Sequence, residues 1–312
     1  MLAVNGGIMQ TVSSRHHTFE FRPDIAPVLR VRSGDVVRFE TSPEPAERLF
    51  AAGDDWCAQL DTRRLNAVTG PVFIDGVEPG DAVRVDILEI ETLDWGWNAF
   101  IPGFGMLCEN LSAPMLRRIP LVDGRCWITD ALSIPLRPMI GCLGLAPARG
   151  ASSTLAPPFP WAGNYDLLQV RAGSTIWFPA QVRGGLFSLG DLHAAMGDGE
   201  ATSVSIECAG AATVRLSVER HLDIQMPRIV SGGRLHTIGL ADRGNYVAAR
   251  RHAADQLFNY LTEERRLTPE DAYILFSATA DLTFGGPAGA VVLASIPLDV
   301  LDERDKRASQ DL

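Results

Sequence analysis

The chain has 312 residues, 46% of them hydrophobic, and a formal net charge of −10, which is enough apolar content for a sizeable core and leaves no basic surplus to attract a phosphate backbone. Nucleic acid is therefore not an expected partner, and no apolar run reaches the roughly 18 to 20 residues that a membrane helix needs. The opening MLAVNGGIMQ lacks a charged and then apolar leader, and Cys57, Cys108, Cys126, Cys142 and Cys208 show no C-x-x-C spacing, so the expectation is a soluble protein kept in a reducing cytoplasm, without a disulfide framework or a thiolate zinc site.

A single lysine, Lys306, lies in the polar tail LDERDKRASQDL. Schiff-base chemistry and hydrolases built on a pocket lysine need an amine held inside the fold, so both are disfavoured. No G-x-S-x-G elbow occurs, which removes the commonest signal for a serine hydrolase.

In chain order the pattern is mostly that of strands. PVLRVRSGDVVRFET (27–41) alternates apolar and polar residues around Gly34 and Asp35 as a half-buried hairpin does, and segments 71–91 and 167–182 repeat the idea. Three hairpin-like units predict a sandwich or jelly roll. The stretch between the second and third of these units (111–166), rich in Pro and Gly, suits short strands joined by long loops, with ARGASSTLAPPFPWAG (148–163) as a boundary. Segment 201–220 reads as two further strands. Beyond Ala241 the period changes: Val247, Ala254, Leu257, Phe258 and Leu261 recur near helical spacing. Thr268, Pro269, Glu270 and Asp271 then supply an N-cap, a first-turn proline and two acids for a second helix. GAVVLASIP (289–297) closes the series as an apolar strand. The expected organisation is a β-rich half with hairpin units over 1–150, a β-rich segment over 151–235, and a C-terminal α+β portion over 236–312 with a final strand and polar tail. The expected fold is mainly β with a smaller α+β part, a jelly-roll or β-sandwich core, and C-terminal helices.

The segment SLGDLHAAMGDGE (188–200) carries the most chemistry. Asp191 and His193 are two apart, so an extended backbone projects both to one face. Gly197 and Gly199 permit a tight reversal that returns Glu200 to the same point. An Asp, His and Glu set suits zinc or a related transition metal and keeps a position for water or substrate. GDGE is also an ordinary hairpin turn in which Asp198 bonds its own loop. His16 and His17, ahead of the first strand, are further donors; His221, His236 and His252 have no partner pattern. Asn66, Thr69 and Gly70 offer donors and acceptors to a small polar ligand or serve as turn chemistry. In DWGWNAFIPGFGML (94–107), Trp97 and Phe104 wall an apolar pocket or pack a core loop. Glu109 is a candidate acid or base, or a solvated carboxylate.

Taken together, LNAVTGPVFIDGVEPGDAVRVDILEIE, DWGWNAFIPGFGML, IGCLGLAPA, AGNYD, LFSLGDLHAAMGDGE and LTPEDAYILFSATADL resemble the acetamidase/formamidase family, in order and from about Asp24 to Leu298. The resemblance implies a metal-assisted hydrolase of simple amides on a β-rich fold of the jelly-roll kind, with relatives that open small lactam rings. It places metal ligands at Asp191, His193 and Glu200, with His17 as a less direct match. Met196 stands where glutamine is more usual, and LCENL (107–111) replaces a segment of acidic residues with an aromatic; both departures bear on the substrate.

On this reading the cofactor is Zn2+ or another divalent transition metal, with Ca2+ as a structural ion, and the ligand is a small amide or γ-lactam. The expected assembly is a homodimer or higher homo-oligomer. A cation brings the pKa of water to about 7 and stabilises the oxyanion. A carboxylate then carries the proton to the leaving nitrogen, in the order Glu200 where it is not a ligand, then Asp198, then Glu109. Asn66, Thr69, Gly70, Trp97, Phe104 and Met196 are the expected substrate contacts. Two other classes fit the same motifs: a cupin-like metal-dependent isomerase or decarboxylase, and a non-catalytic small-ligand binder.

Overall fold

Alternation along three strands puts Val37 and Phe39 of Val36–Glu40, Val83, Val85 and Ile87 of Ala82–Phe100, and Ala212, Val214 and Leu216 of Ile206–Glu219 into one buried cluster. Successive side chains of a strand face opposite ways, so a period of two fills one face. In the computed structural model, which describes residues 9–301, Ile206–Glu219 runs antiparallel to Val36–Glu40 and to Ala82–Phe100. Phe178, Phe187, Leu189, Leu192, Ile140 and Leu143 join the same core. Each buried Val, Ile, Leu or Phe there contributes about 1.5–3 kcal/mol. The protein is mainly β, with a jelly-roll or β-sandwich core and C-terminal helices. Lys306 and the polar tail lie outside the described residues.

The hairpin-like units are built differently from the expectation. Leu29–Val31 pairs in parallel with Val68–Ile74, whereas Val36–Glu40 pairs with Gln10–Val12 and Ile206–Glu219, so the arms on either side of Gly34 do not pair with each other. Val68–Ile74 and Ala82–Phe100 likewise take separate partners. Alternation fixes which face of a strand is buried and says nothing about which strand lies beside it. The two strands expected over 201–220 form one, Ile206–Glu219, with a register shift between Cys208 and Gly210.

Toward the C-terminus, Asn245 Oδ1 accepts from Ala248 N and caps the helix Tyr246–Asn259. Ala249, Ala253 and Leu257 face inward, whereas Val247 is 70% exposed. The helix lies on Arg234–Ala241, which pairs antiparallel with Ala290–Pro297. Gly239 permits this approach, since a Cβ there would stand 2.0 Å from Ala249 O. The helix Pro269–Thr279 starts as the sequence predicts, with Thr268 Oγ1 accepting from Asp271 N at 3.1 Å. No helix among the described residues is long and apolar enough to cross a membrane. The five cysteines are free.

Candidate metal centre

The strand Phe187–Ala195 is the spine of the site. Along one edge it pairs with Met139–Gly144; along the other, Gly190 pairs with Val68 and Leu192 with Cys208, so the partner changes at Asp191. Asp191 stands at that change with φ +58°, a left-handed conformation that costs about 1–3 kcal/mol and persists where the surroundings over-determine it. His193 lies directly across from Glu207, which puts the two side chains on one face. Asp166, at φ +45°, follows the strand Ala162–Asn164, and Gly141 O accepts from both Tyr165 N and Asp166 N. Glu200, at φ +38°, closes a turn in which its N–H donates to Gly197 O at 3.1 Å.

These elements converge four carboxylates on one imidazole. His193 Nε2 is 3.2 Å from Glu207 Oε2, 3.7 Å from Asp191 Oδ2 and 3.8 Å from Asp166 Oδ1. Ligand atoms of Asp166, Asp191 and His193 lie within 4.8 Å of one another, as do those of His193, Glu200 and Glu207. Donors around a single cation, each about 2.0–2.2 Å from it, stand roughly 3–4 Å apart. Asn66 Nδ2 donates to Asp191 Oδ2 at 2.7 Å, and Ser205 N and Oγ donate to Glu207 Oε1. Both Asp166 oxygens are buried without a hydrogen-bond partner. On the far side of the imidazole, Nδ1 is 3.4 Å from Met196 Sδ; a proton on Nδ1 would face that sulfur and leave the Nε2 lone pair toward the carboxylates.

The cluster is short of positive charge. No Lys or Arg is among the residues lining its cavity. Burial pushes the Asp166 carboxyl well above its ordinary value, and Glu200 and its other carboxylate neighbours add to the effect. Burial also raises Asp191 and pushes Glu200 up to about 8. Burial opposes charge on His193, but Glu207 and Asp191 outweigh it and raise the imidazole well above its usual range. Buried carboxylates are tolerated when paired or when they coordinate a metal. The donor set of carboxylate oxygens with one imidazole nitrogen, the unpartnered Asp166, and a space that a Cβ on Gly141 would fill at 2.5 Å from Asp166 Oδ1 all fit a divalent cation.

The cavity at the cluster has a volume of ≈ 70 Å³ and is walled by Leu49, Leu65, Trp97, Ile101 and Phe104. It adjoins an outer chamber of ≈ 190 Å³ through the shared walls Phe104, Leu155, Asn164, Glu200 and Ser203.

Of the residues singled out in the sequence, Asp191, His193, Glu200, Asn66, Trp97 and Phe104 meet at this cavity. Met196 lies behind the histidine ring. Thr69 Oγ1 donates to Glu40 O, and Gly70 N donates to His16 O, so both serve the backbone beneath the site. His17 pairs with Thr69 in the sheet, and its Nδ1 is 2.8 Å from Ser14 O. Asp198 and Glu109 are exposed and do not line the cavity. Asp166 and Glu207 carry no role in the sequence reading. Asp166 does have a signal, because Asn164-x-Asp166 repeats the two-residue spacing of Asp191-x-His193. Glu207 has only its charge near the start of the strand Ile206–Glu219.

The model of the Acetamidase/Formamidase family matches residues 9–155 and 148–303. A formamidase of Methylophilus methylotrophus is 26% identical over 257 residues, covering 64% of this chain and 63% of its own length; the chain thus spans less than two thirds of that relative. The crystal structure of a predicted acetamidase/formamidase from Thermoanaerobacter tengcongensis superposes with a TM-score of 0.89 at 29% identity, over 95% of this chain and 98% of the other. An acetamidase from Bacillus halodurans gives 0.86 at 28% identity, over 94% and 99%.

Proposed function

The chain belongs to the acetamidase/formamidase family, and on that premise we propose that it hydrolyses the C–N bond of a small amide, formamide-like, acetamide-like or a γ-lactam, at the buried acidic cluster. The observation that carries this reading is the Asp166 carboxylate, buried without a hydrogen-bond donor beside Asp191 and His193 in a cavity of ligand size. Asp166, Asp191 and His193 would hold a divalent cation, Zn2+ or another transition metal. Such an ion supplies Lewis acidity, lowering the pKa of water and polarising the amide carbonyl.

The remaining work belongs to the chain's own residues. Asn66 fixes the Asp191 carboxylate by donating to it, and the serine donors on Glu207 hold that carboxylate beside the imidazole. Glu200 faces the same cavity from the turn after the spine strand. A cation beside it would favour its ionised form, and it is then the proton carrier of this reading, taking a proton from water and delivering it to the leaving nitrogen. Leu49, Ile101 and Trp97 exclude bulk water, which strengthens each charge interaction inside.

The test is ammonia release from formamide, acetamide and propionamide, and ring opening of a γ-lactam, by the wild type and by the His193→Ala and Asp166→Asn variants. Turnover by the wild type with a loss of at least about 100-fold in the variants supports the reading. Absence of turnover on every substrate, or variants that match the wild type, would overturn it.

A further inference from the structure

Two polar atoms of the pocket are used neither by the cluster nor by the fold. Asn164 Oδ1 and Ser203 Oγ are buried and have no hydrogen-bond partner. Both residues line the inner cavity with the cluster and also the outer chamber, so they stand at the junction of the two.

Their placement is rigid. Asn164 ends the strand Ala162–Asn164, opposite Cys142 and two residues before Asp166. It is 6% exposed. Ser203 is held at φ +62° in a turn whose N–H donates to Glu200 O at 2.8 Å. A non-glycine residue in that conformation is costly, and such positions cluster where a side chain must be aimed. Buried polar atoms are nearly always paired in a folded protein, so an unpaired acceptor that lines a cavity marks a place for a donor from outside. The Asn66 amide, which also lines the cavity, already donates through Nδ2 to Asp191 Oδ2.

We propose that Asn164 and Ser203 read the nitrogen of the substrate amide: Asn164 Oδ1 accepts one N–H and Ser203 Oγ accepts the other. The inference rests on the amide-hydrolase reading and deepens it. Paired in this way, a primary amide presents its carbonyl to the cluster, and its acyl group meets the apolar walls Phe104 and Leu155 between the chambers. The two acceptors have separable consequences. A primary amide carries two N–H groups and uses both residues, whereas a γ-lactam carries one and uses Asn164 alone.

The experiment measures binding of acetamide and of 2-pyrrolidinone by ligand-observed NMR titration, with kcat/KM in parallel. The proteins are the wild type, Ser203→Ala and Asn164→Leu, each checked for an unchanged melting temperature and metal content. Ser203→Ala is expected to weaken acetamide about 5- to 50-fold and leave 2-pyrrolidinone within about twofold; Asn164→Leu weakens both, by about 5- to 100-fold. Equal loss of both ligands in Ser203→Ala, no loss in Asn164→Leu, or no binding of either ligand by the wild type would overturn the inference. If the binding pattern holds but the wild type turns over neither ligand, the hydrolase reading fails while the assignment of these two residues stands.

Discussion

Gly141→Ala tests whether the acidic cluster is held open by design of the backbone. The residue is absent from the positive-φ positions, so alanine is allowed by its backbone and the effect is one of space alone. A Cβ there would stand 2.5 Å from Asp166 Oδ1 and 2.8 Å from Asp191 Oδ2, whereas ordinary contact begins at 3.4 Å. Relief therefore requires shifts of 0.9 Å (3.4 − 2.5) and 0.6 Å (3.4 − 2.8) in the two carboxylates. Misplacement of reacting groups by about 1 Å costs on the order of 100-fold in rate, and disturbed ligand orientation costs about 10- to 100-fold in metal affinity. Overpacking a dense interior adds about 1–3 kcal/mol of destabilisation. The assay combines kcat/KM on the best amide, metal per chain by elemental analysis, and the melting temperature. Activity within threefold of the wild type with unchanged metal content would refute the steric argument.

Two further outcomes follow from the same geometry. Asn66→Leu removes the donor to Asp191 Oδ2 and is expected to lower metal affinity about 10- to 100-fold, measured by competition with a chromophoric chelator; unchanged affinity would mean that Asn66 does not orient this ligand. The His236 ring is buried in Arg234–Ala241, and burial pushes its pKa down to about 4. The unfolded chain binds that proton near pH 6.5 and the folded chain resists it, so this contribution to stability is present above pH 6.5 and lost as pH falls toward 4. The loss by pH 5 is about 2 kcal/mol. Denaturant midpoints of the wild type and His236→Gln between pH 7 and 5 should show a shallower pH slope in the variant, and parallel slopes would contradict the assignment.

Much of the fold follows from local pattern. The capping of the helix Pro269–Thr279 by Thr268 and the apolar strand Ala290–Pro297 depend on neighbours in sequence, and both are legible there. The pairing of Leu29–Val31 with Val68–Ile74 is a long-range choice that alternation does not encode. The site divides in the same way. Asp191, His193 and Glu200 arrive from one short segment, and glycines mark the turn that brings Glu200 back. Asp166 joins them through Gly141 O from another part of the sheet, and Glu207 through its register with His193. Asn66 was legible as a polar residue near a ligand; its role in fixing Asp191 is a tertiary contact, 125 positions away in sequence. Asn164 and Ser203 became visible only once burial showed that their oxygens lack partners.

The central claim is that amide hydrolysis depends on a cation held by Asp166, Asp191 and His193. Its most direct test is one preparation assayed for acetamide turnover and bound metal before chelation, after chelation, and after stoichiometric Zn2+ is restored. Activity that falls with the metal and returns with about one ion per chain is the predicted result. Full activity in protein stripped of metal would contradict it.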